Sequence, residues 1–448
     1  MPRRNLYLLA AAVLVSAVCY LQADSAYRSR YGRMYETFTD VLEKIDTRYI
    51  EKVDGRELFE GAIRGMVAEL DDPNSAYYNP HAAALSDSSL KQQFGGIGIE
   101  VLFDRQTKQL TIVTPLPNSP AFEAGLLPGD KILEIEDHST KDMTIDDATV
   151  LLRGKPGTVV RLKVLHEDQT EPTDVVVRRA IIKTETVVGY RRTADGSWSY
   201  LLPLEPKIAY VRIAMFATNT VEELKAVLER LQSEKIEGLV LDLRNNGGGL
   251  LTAAEDVCNM FVRQGVIVTT RGRDGVELSE HKADGSAPFA EVPMAVLING
   301  LSASGSEIVA ACLQDHGRAT IVGTRSFGKG TVQDVLYLED GKSQLRLTVA
   351  SYWRPSGKNI HRFRKAKETD EWGVKPDAGY DVPLDDKQWA DVLRQRQKLE
   401  AMKRARPAAN DANDVLLADP QLERAIDAVR EQLAAAAKRV SEHALPVR

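Results

Sequence analysis

Apolar residues recur at two periods along this 448-residue chain, and the change of period divides it. Over residues 27–91 the spacing is helical. Phe38, Val41, Leu42 and Ile45 share one face, and Leu58, Ala62, Ile63, Met66, Val67 and Leu70 share another. Asp72-Pro73-Asn74 ends that pattern as a strong breaker. Over 92–182 short strand-like runs follow glycine turns: Ile99–Phe103, Leu110–Thr114, Lys131–Ile135, Val159–Leu165 and Thr173–Ala180. With a helix at Ile145–Leu152 they predict a small domain of short strands and two helices. From about 207 strands and helices alternate. Ile208–Ile213, Gly238–Leu243, Pro293–Ile298 and Thr320–Gly323 read as buried strands. Thr220-x-x-Glu223 reads as a capping box opening a helix with Val221, Leu224, Val227, Leu228 and Leu231 inward. The rhythm predicts an α/β core with a mixed or parallel sheet and helices on both faces. Residues 384–448 are charged and alanine-rich, two helices split at Pro407–Asn413, with no evident chemistry.

Composition narrows the picture little. At 43% hydrophobic and 27% charged the chain is an ordinary globular one, and a net charge of −6 gives no reason to expect nucleic acid. Cys19, Cys258 and Cys312 stand far apart without metal-ligand spacing, so neither a metal nor a disulfide is expected. The N-terminus says more. Arg3 and Arg4 precede an uncharged run from Asn5 to Ala23. As a helix that run spans about 28 Å, close to the hydrocarbon thickness of a bilayer. A small-x-small cleavage site is not evident, so the run reads as an uncleaved anchor, with a cleaved signal as the alternative. The arginines place the N-terminus in the cytoplasm and the remainder outside it.

Candidate chemistry sits at the strand ends, where ligands bind in open α/β sheets. Asn299-Gly-Leu-Ser302-Ala-Ser304-Gly-Ser306-Glu307 joins an apolar strand to a helix. A serine there has its hydroxyl near the N–H groups of a helix N-terminus, which favour an oxyanion. Three serines can also simply cap the helix. None of the seven histidines lies in a triad motif, so a lysine is the other choice of base. A lysine base must be neutral, and lowering its pKa from about 10.4 towards 7–8 corresponds to roughly 4 kcal/mol of desolvation. Lys329 in Ser326-Phe-Gly-Lys-Gly-Thr-Val-Gln333 is the candidate, with glycines on both sides and Gln333 four residues on to orient its amine. Gly323-x4-Gly328-Lys329 is nearly a phosphate loop, but Gly330 stands where Ser or Thr is required and a strand pattern follows. Gly247, Gly248 and Gly249, after their own strand, offer a second oxyanion donor.

Together these residues resemble the carboxyl-terminal processing peptidases, or tail-specific proteases, over about residues 30–383. That family's loop has the form N-x-x-S/T-A-S-A-S-E, and its middle serine corresponds to Ser304 rather than Ser302. The family lysine follows 25 residues later in F-G-K-G, which is Lys329, and a glutamine four further on corresponds to Gln333. The resemblance implies an oxyanion hole from the N–H groups of Gly305 and Gly248; Gly305 departs from the usual alanine. Leu70-Asp-Asp-Pro-Asn-Ser75-Ala-Tyr77, Ser351–Ile360 and Trp372–Asp377 are similar to further family segments.

Residues 93–182 resemble the family's PDZ domain. Phe94, Gly95, Gly96, Ile97 and Gly98 would form its carboxylate-binding loop, and Arg153 holds the position of an arginine that links PDZ engagement to the active site in some members. The implied organisation is an anchor at 1–26, a helical region at 27–91, an inserted PDZ domain at 92–182, a catalytic core at 183–383 and a helical extension at 384–448. The implied function is a serine endopeptidase, without cofactor, that cleaves extracytoplasmic proteins near exposed C-terminal tails while its PDZ domain binds those tails and gates access. Partners are then protein substrates and the membrane. The tail helices could pair between copies as a homo-oligomer or pack on residues 30–70. An inactive PDZ scaffold is the competing reading, and it requires loss of a catalytic group, whereas Ser304, Lys329 and Gln333 are all present.

Overall fold

The computed structural model describes residues 31–83, 93–104, 109–116, 119–141, 143–166, 169–183, 185–193, 196–400 and 416–443. The apolar N-terminal run, Cys19 and the Pro407–Asn413 break lie outside these residues. Among the described residues no helix is long and apolar enough to cross a membrane. The described residues form two compact units, one within 31–79 and 335–347, the other within 80–334 and 348–443.

The first unit holds a helix over 31–48 and another at Gly55–Ala68, whose N-terminus is capped by Asp54 accepting from the Arg56 N–H at 2.7 Å. Strand Ala76–Tyr78 pairs antiparallel with Gln344–Arg346. Phe38 and Val41, on the predicted apolar face of the first helix, are exposed.

In the second unit the small domain follows its predicted strands. Ile99–Asp104, Gln109–Pro115, Lys131–Ile135, Val159–Leu165 and Thr173–Arg178 form one antiparallel sheet in that order. Ile145–Leu152 carries a full capping box between Thr144 and Asp147.

The core sheet comprises β1 (Val187–Val188), β2 (Ile208–Ile213), β3 (Gly238–Asp242), β4 (Met294–Ile298) and β5 (Thr320–Gly323), in that spatial order. β1 runs antiparallel to β2, and the other pairs are parallel. Every residue of β3 and β4 is buried, as a sheet covered on both faces requires. One face is covered by α1 (Thr220–Ser233), α2 (Leu251–Asn259) and α3 (Gly305–Asp315). Leu224, Leu228 and Leu231 of α1 point inward as predicted. The capping box at Thr220 does not form. Glu223 instead accepts from the Thr186 N–H and hydroxyl, both at 2.8 Å, and ties α1 to β1. A residue 37 positions away outcompeted the local cap, which spacing alone cannot register.

The other face is covered by α4 (Asp386–Glu400) and α5 (Pro420–His443), with Val392, Leu422, Ile426 and Val429 packed on Tyr210, Val240, Leu297 and Val322. The tail is therefore a layer of the core rather than an appendage. Its mean composition is polar, but Leu422, Ala425, Ile426 and Val429 make a narrow apolar stripe wide enough to seal the sheet.

Candidate active site

β4 ends in the turn 299–304, from which α3 starts. Ser304 sits on the strand-to-helix corner with φ +55 and ψ −115. That region is costly for a residue with a Cβ, and such strain collects at functional sites. The three serines of the turn have separate fates. Ser302 donates to the Leu243 carbonyl at 2.8 Å, and Ser306 donates to the Asn246 carbonyl at 2.8 Å. Both hydroxyls stitch this turn to the glycine loop that follows β3. Ser304 takes no part in that mesh and keeps slight solvent access, 8% exposed. Gly305 is the first residue of α3, where a backbone N–H has no partner inside the helix. A Cβ on Gly305 would stand 3.2 Å from the Phe216 ring, so an alanine methyl there requires the ring to give by a few tenths of an ångström.

Glu307, fully buried in the first turn of α3, joins the two candidate loops. Its Oε2 accepts from the Ser304 N–H at 2.9 Å and the Lys329 N–H at 2.8 Å. Its Oε1 accepts from the Ser326 hydroxyl and the Gly328 N–H, both at 2.6 Å. The backbone nitrogens of Ser304 and Lys329 thus share one carboxylate oxygen and lie within about 6 Å of each other. Burial pushes the Glu307 carboxyl up to about 7 against the pull of these four donors. Lys329 is half-buried between two glycines that only glycine can occupy. A Cβ on Gly328 would stand 2.6 Å from the Arg362 Cβ, and one on Gly330 would collide with the His361 N–H. Strand Thr331–Leu338 follows, where a phosphate loop would need a helix.

Gly248, at φ +99, is held against the serine: a Cβ there would lie 2.7 Å from the Ser304 Cβ. Its N–H, the second oxyanion donor that the resemblance implies, donates to Asn246 Oδ1 at 2.8 Å. Asn246 is fixed in that orientation by donating from Nδ2 to the Ile213 carbonyl at 2.8 Å. Gln333 lies on the strand after the lysine, and its Nε2 donates to Thr331 Oγ1 at 2.7 Å and Thr348 Oγ1 at 3.2 Å.

In the small domain, Gln93–Gly96 pairs with Ala180–Lys183, so Phe94, Gly95 and Gly96 enter a ladder. The Gly154 N–H donates to the Gly95 carbonyl at 3.1 Å, which brings the loop beside Arg153, at the end of helix Ile145–Leu152. Ile97 is buried in the small domain's core, and Gly98, at φ +77, packs against Ser119. Cys258 and Cys312 are free, buried thiols on α2 and α3.

The sequence did not reveal a buried ion cluster behind the glycine loop. Asp242 accepts from Arg244 Nη2 at 2.7 Å, Arg396 Nη2 at 2.9 Å and the Tyr210 hydroxyl at 2.7 Å. Arg244 also meets Asp419 at 2.8 Å and donates to Gln421 Oε1 at 3.0 Å. Burial raises the Asp242 carboxyl, and Arg244 with Arg396 outweighs it, holding the group well below the usual range. The available signal was two charges, Asp242 and Arg244, at the end of a fully buried strand. Glu307 gave a similar signal at the head of an otherwise apolar helix.

Comparison with known proteins identifies the family. The profile of peptidase family S41 matches residues 207–379, a PDZ domain matches 111–165, and the activating protease CtpB N-terminal domain matches 16–82. A carboxy-terminal-processing protease of Bartonella bacilliformis is 37% identical over 86% of this chain and 84% of its own length. Carboxy-terminal processing protease CtpB of Bacillus subtilis is 33% identical over 76% of this chain and 68% of its own length. Among solved structures, a photosystem II D1 C-terminal processing protease is 30% identical, with TM-score 0.44, over 77% of this chain and 92% of that one. The chain therefore belongs to peptidase family S41, the carboxy-terminal processing proteases, as a serine peptidase carrying a PDZ domain.

Proposed function

We propose that this peptidase cuts proteins near their C-terminal tails with Ser304 as nucleophile, Lys329 as base and Gln333 as the residue that orients the lysine. The neutral Lys329 amine takes the Ser304 proton as Oγ attacks the scissile carbonyl carbon. The Gly305 N–H holds the oxyanion. The Gly248 N–H joins it by sharing its proton between Asn246 and the oxyanion, as a three-centre bond. Lysine then protonates the leaving amine, and water releases the acyl group from Ser304. Gln333 spends its Nε2 on two threonine hydroxyls, which leaves Oε1 to accept from the lysine. A substrate tail adds to the PDZ loop at Phe94–Gly98, and Arg153 beside it relays engagement. The N-terminal segment holds the catalytic part outside the cytoplasm.

The observation that carries this reading is the Glu307 oxygen shared by the Ser304 and Lys329 backbones. It ties the backbones of two residues 25 positions apart to one carboxylate oxygen, which supports their pairing as nucleophile and base. Purified Ser304→Ala and Lys329→Ala proteins should each lose cleavage of an unfolded tail peptide. Retained activity in either would remove that residue from the chemistry.

A further inference from the structure

The S41 profile ends at residue 379, yet the ion cluster behind the glycine loop is completed by residues beyond it. Arg396 comes from α4; Asp419 caps α5, and Gln421 lies in its first turn. Asp242, Arg244, Arg396 and Asp419 are two anions and two cations, all nearly or wholly removed from water. Buried charges of this kind persist only when each is paired. Neither Asp242 nor Arg244 is fully matched by the other. Asp242 faces two guanidinium groups, and Arg244 faces two carboxylates.

Arg244 opens the glycine loop, and its own N–H donates to Asp242 at 2.8 Å. From there the loop is bonded to the serine turn at five points. Ser302 reaches the Leu243 carbonyl, Asn245 and Asn299 exchange two bonds, and the Ala303 N–H and Ser306 hydroxyl both reach the Asn246 carbonyl. A displacement of Arg244 therefore moves the backbone that carries Gly248, Ser304 and Gly305. We propose that Arg396, Asp419 and Gln421 are positioning residues for catalysis: the two C-terminal helices clamp Arg244 and Asp242, and through them set the oxyanion loop against Ser304. The helices act on the reaction without touching substrate. This rests on the assignment of Ser304 as nucleophile.

The test uses the full chain with Arg396→Met, Asp419→Asn and Gln421→Leu, each compared with Arg396→Lys and with Arg394→Met. Arg394 is an exposed residue of the same helix, paired with Asp391. Expected for Arg396→Met and Asp419→Asn is a fall in kcat of at least tenfold, with KM within twofold and with PDZ affinity for a tail peptide unchanged. Arg396→Lys restores most of the kcat, and Arg394→Met leaves it unchanged. Near-ultraviolet circular dichroism establishes that each variant is folded, and kcat is taken per folded molecule. Full kcat in folded Arg396→Met and Asp419→Asn overturns the proposal, as does a loss that merely tracks the unfolded fraction. If Asp419→Asn does not fold, Gln421→Leu, which removes no charge, decides with a threefold or greater fall in kcat. Ser304→Ala run alongside separates the two assignments: its inactivity with a fully active Arg396→Met sinks only the clamp, whereas its activity sinks the nucleophile.

Discussion

Glu307→Gln is nearly isosteric and tests whether one carboxyl organises the site. All four neighbours of Glu307 donate to it: Ser304 N–H, Lys329 N–H, Gly328 N–H and the Ser326 hydroxyl. A protonated carboxyl can meet this pattern if the Ser326 hydroxyl turns to accept. A glutamine cannot. With its oxygen kept on Ser304 and Lys329, its amide nitrogen faces the Gly328 N–H, and two buried donors are left unpaired. At about 1–3 kcal/mol for each, the variant loses roughly 2–6 kcal/mol of stability near pH 5. Relief by shifting the lysine loop lowers kcat, tenfold for each ~1.4 kcal/mol of lost transition-state stabilisation. The pH dependence has a definite sign. The folded Glu307 value of about 7 lies above its ordinary 4.5, so its contribution is fully present below about 4.5 and is lost as pH rises through 7. By linkage the wild type gives up to ~3 kcal/mol over that window, and glutamine gives none. Denaturant melts at pH 5 and pH 8, with peptide kcat at both, check this. The stability gap between wild type and variant narrows at pH 8. An unchanged kcat together with a gap that widens would refute the reasoning.

Other outcomes follow from the same contacts. Gly248→Ala places a methyl 2.7 Å from the Ser304 Cβ at a φ of +99, so peptidase activity falls at least a hundredfold while the PDZ domain still binds a tail peptide by calorimetry. Ser302→Ala breaks the bond to Leu243 and costs about 1 kcal/mol in denaturant melts, yet acyl-enzyme still forms on Ser304, as mass spectrometry of the trapped intermediate would show. Gln333→Ala lowers kcat tenfold or more and shifts the acid limb of its pH profile; Thr348→Val, which removes one of the two acceptors of Gln333 Nε2, has a smaller effect in the same direction.

The core strands and the helices on one face were legible because burial on two faces writes unbroken apolar runs, and an amphipathic helix writes its period. The serine turn, the lysine between glycines and the glutamine stand out as candidates in the sequence, since each proposed role demands a residue type in a local setting. What those local settings could not contain is the meeting of distant segments. The spacing of Glu223 from Thr220 reads as a cap, whereas one of its carboxylate oxygens is taken by Thr186, 37 residues away. The tail looked inert because its average is polar, although four apolar positions of α5 suffice to cover β3, β4 and β5. The bond from the Gly248 N–H to the side chain of Asn246, two residues back and held in turn by the Ile213 carbonyl, was likewise not written in the glycine run. Sequence by itself determined the period of each element and the residue types at the turns. Tertiary structure alone decided the pairing of buried charge. Arg244 meets Asp419 and Gln421 at the head of α5, up to 177 residues along the chain, and Asp242 meets Arg396 of α4; a charge removed from water is stable only where the fold delivers its counter-ion.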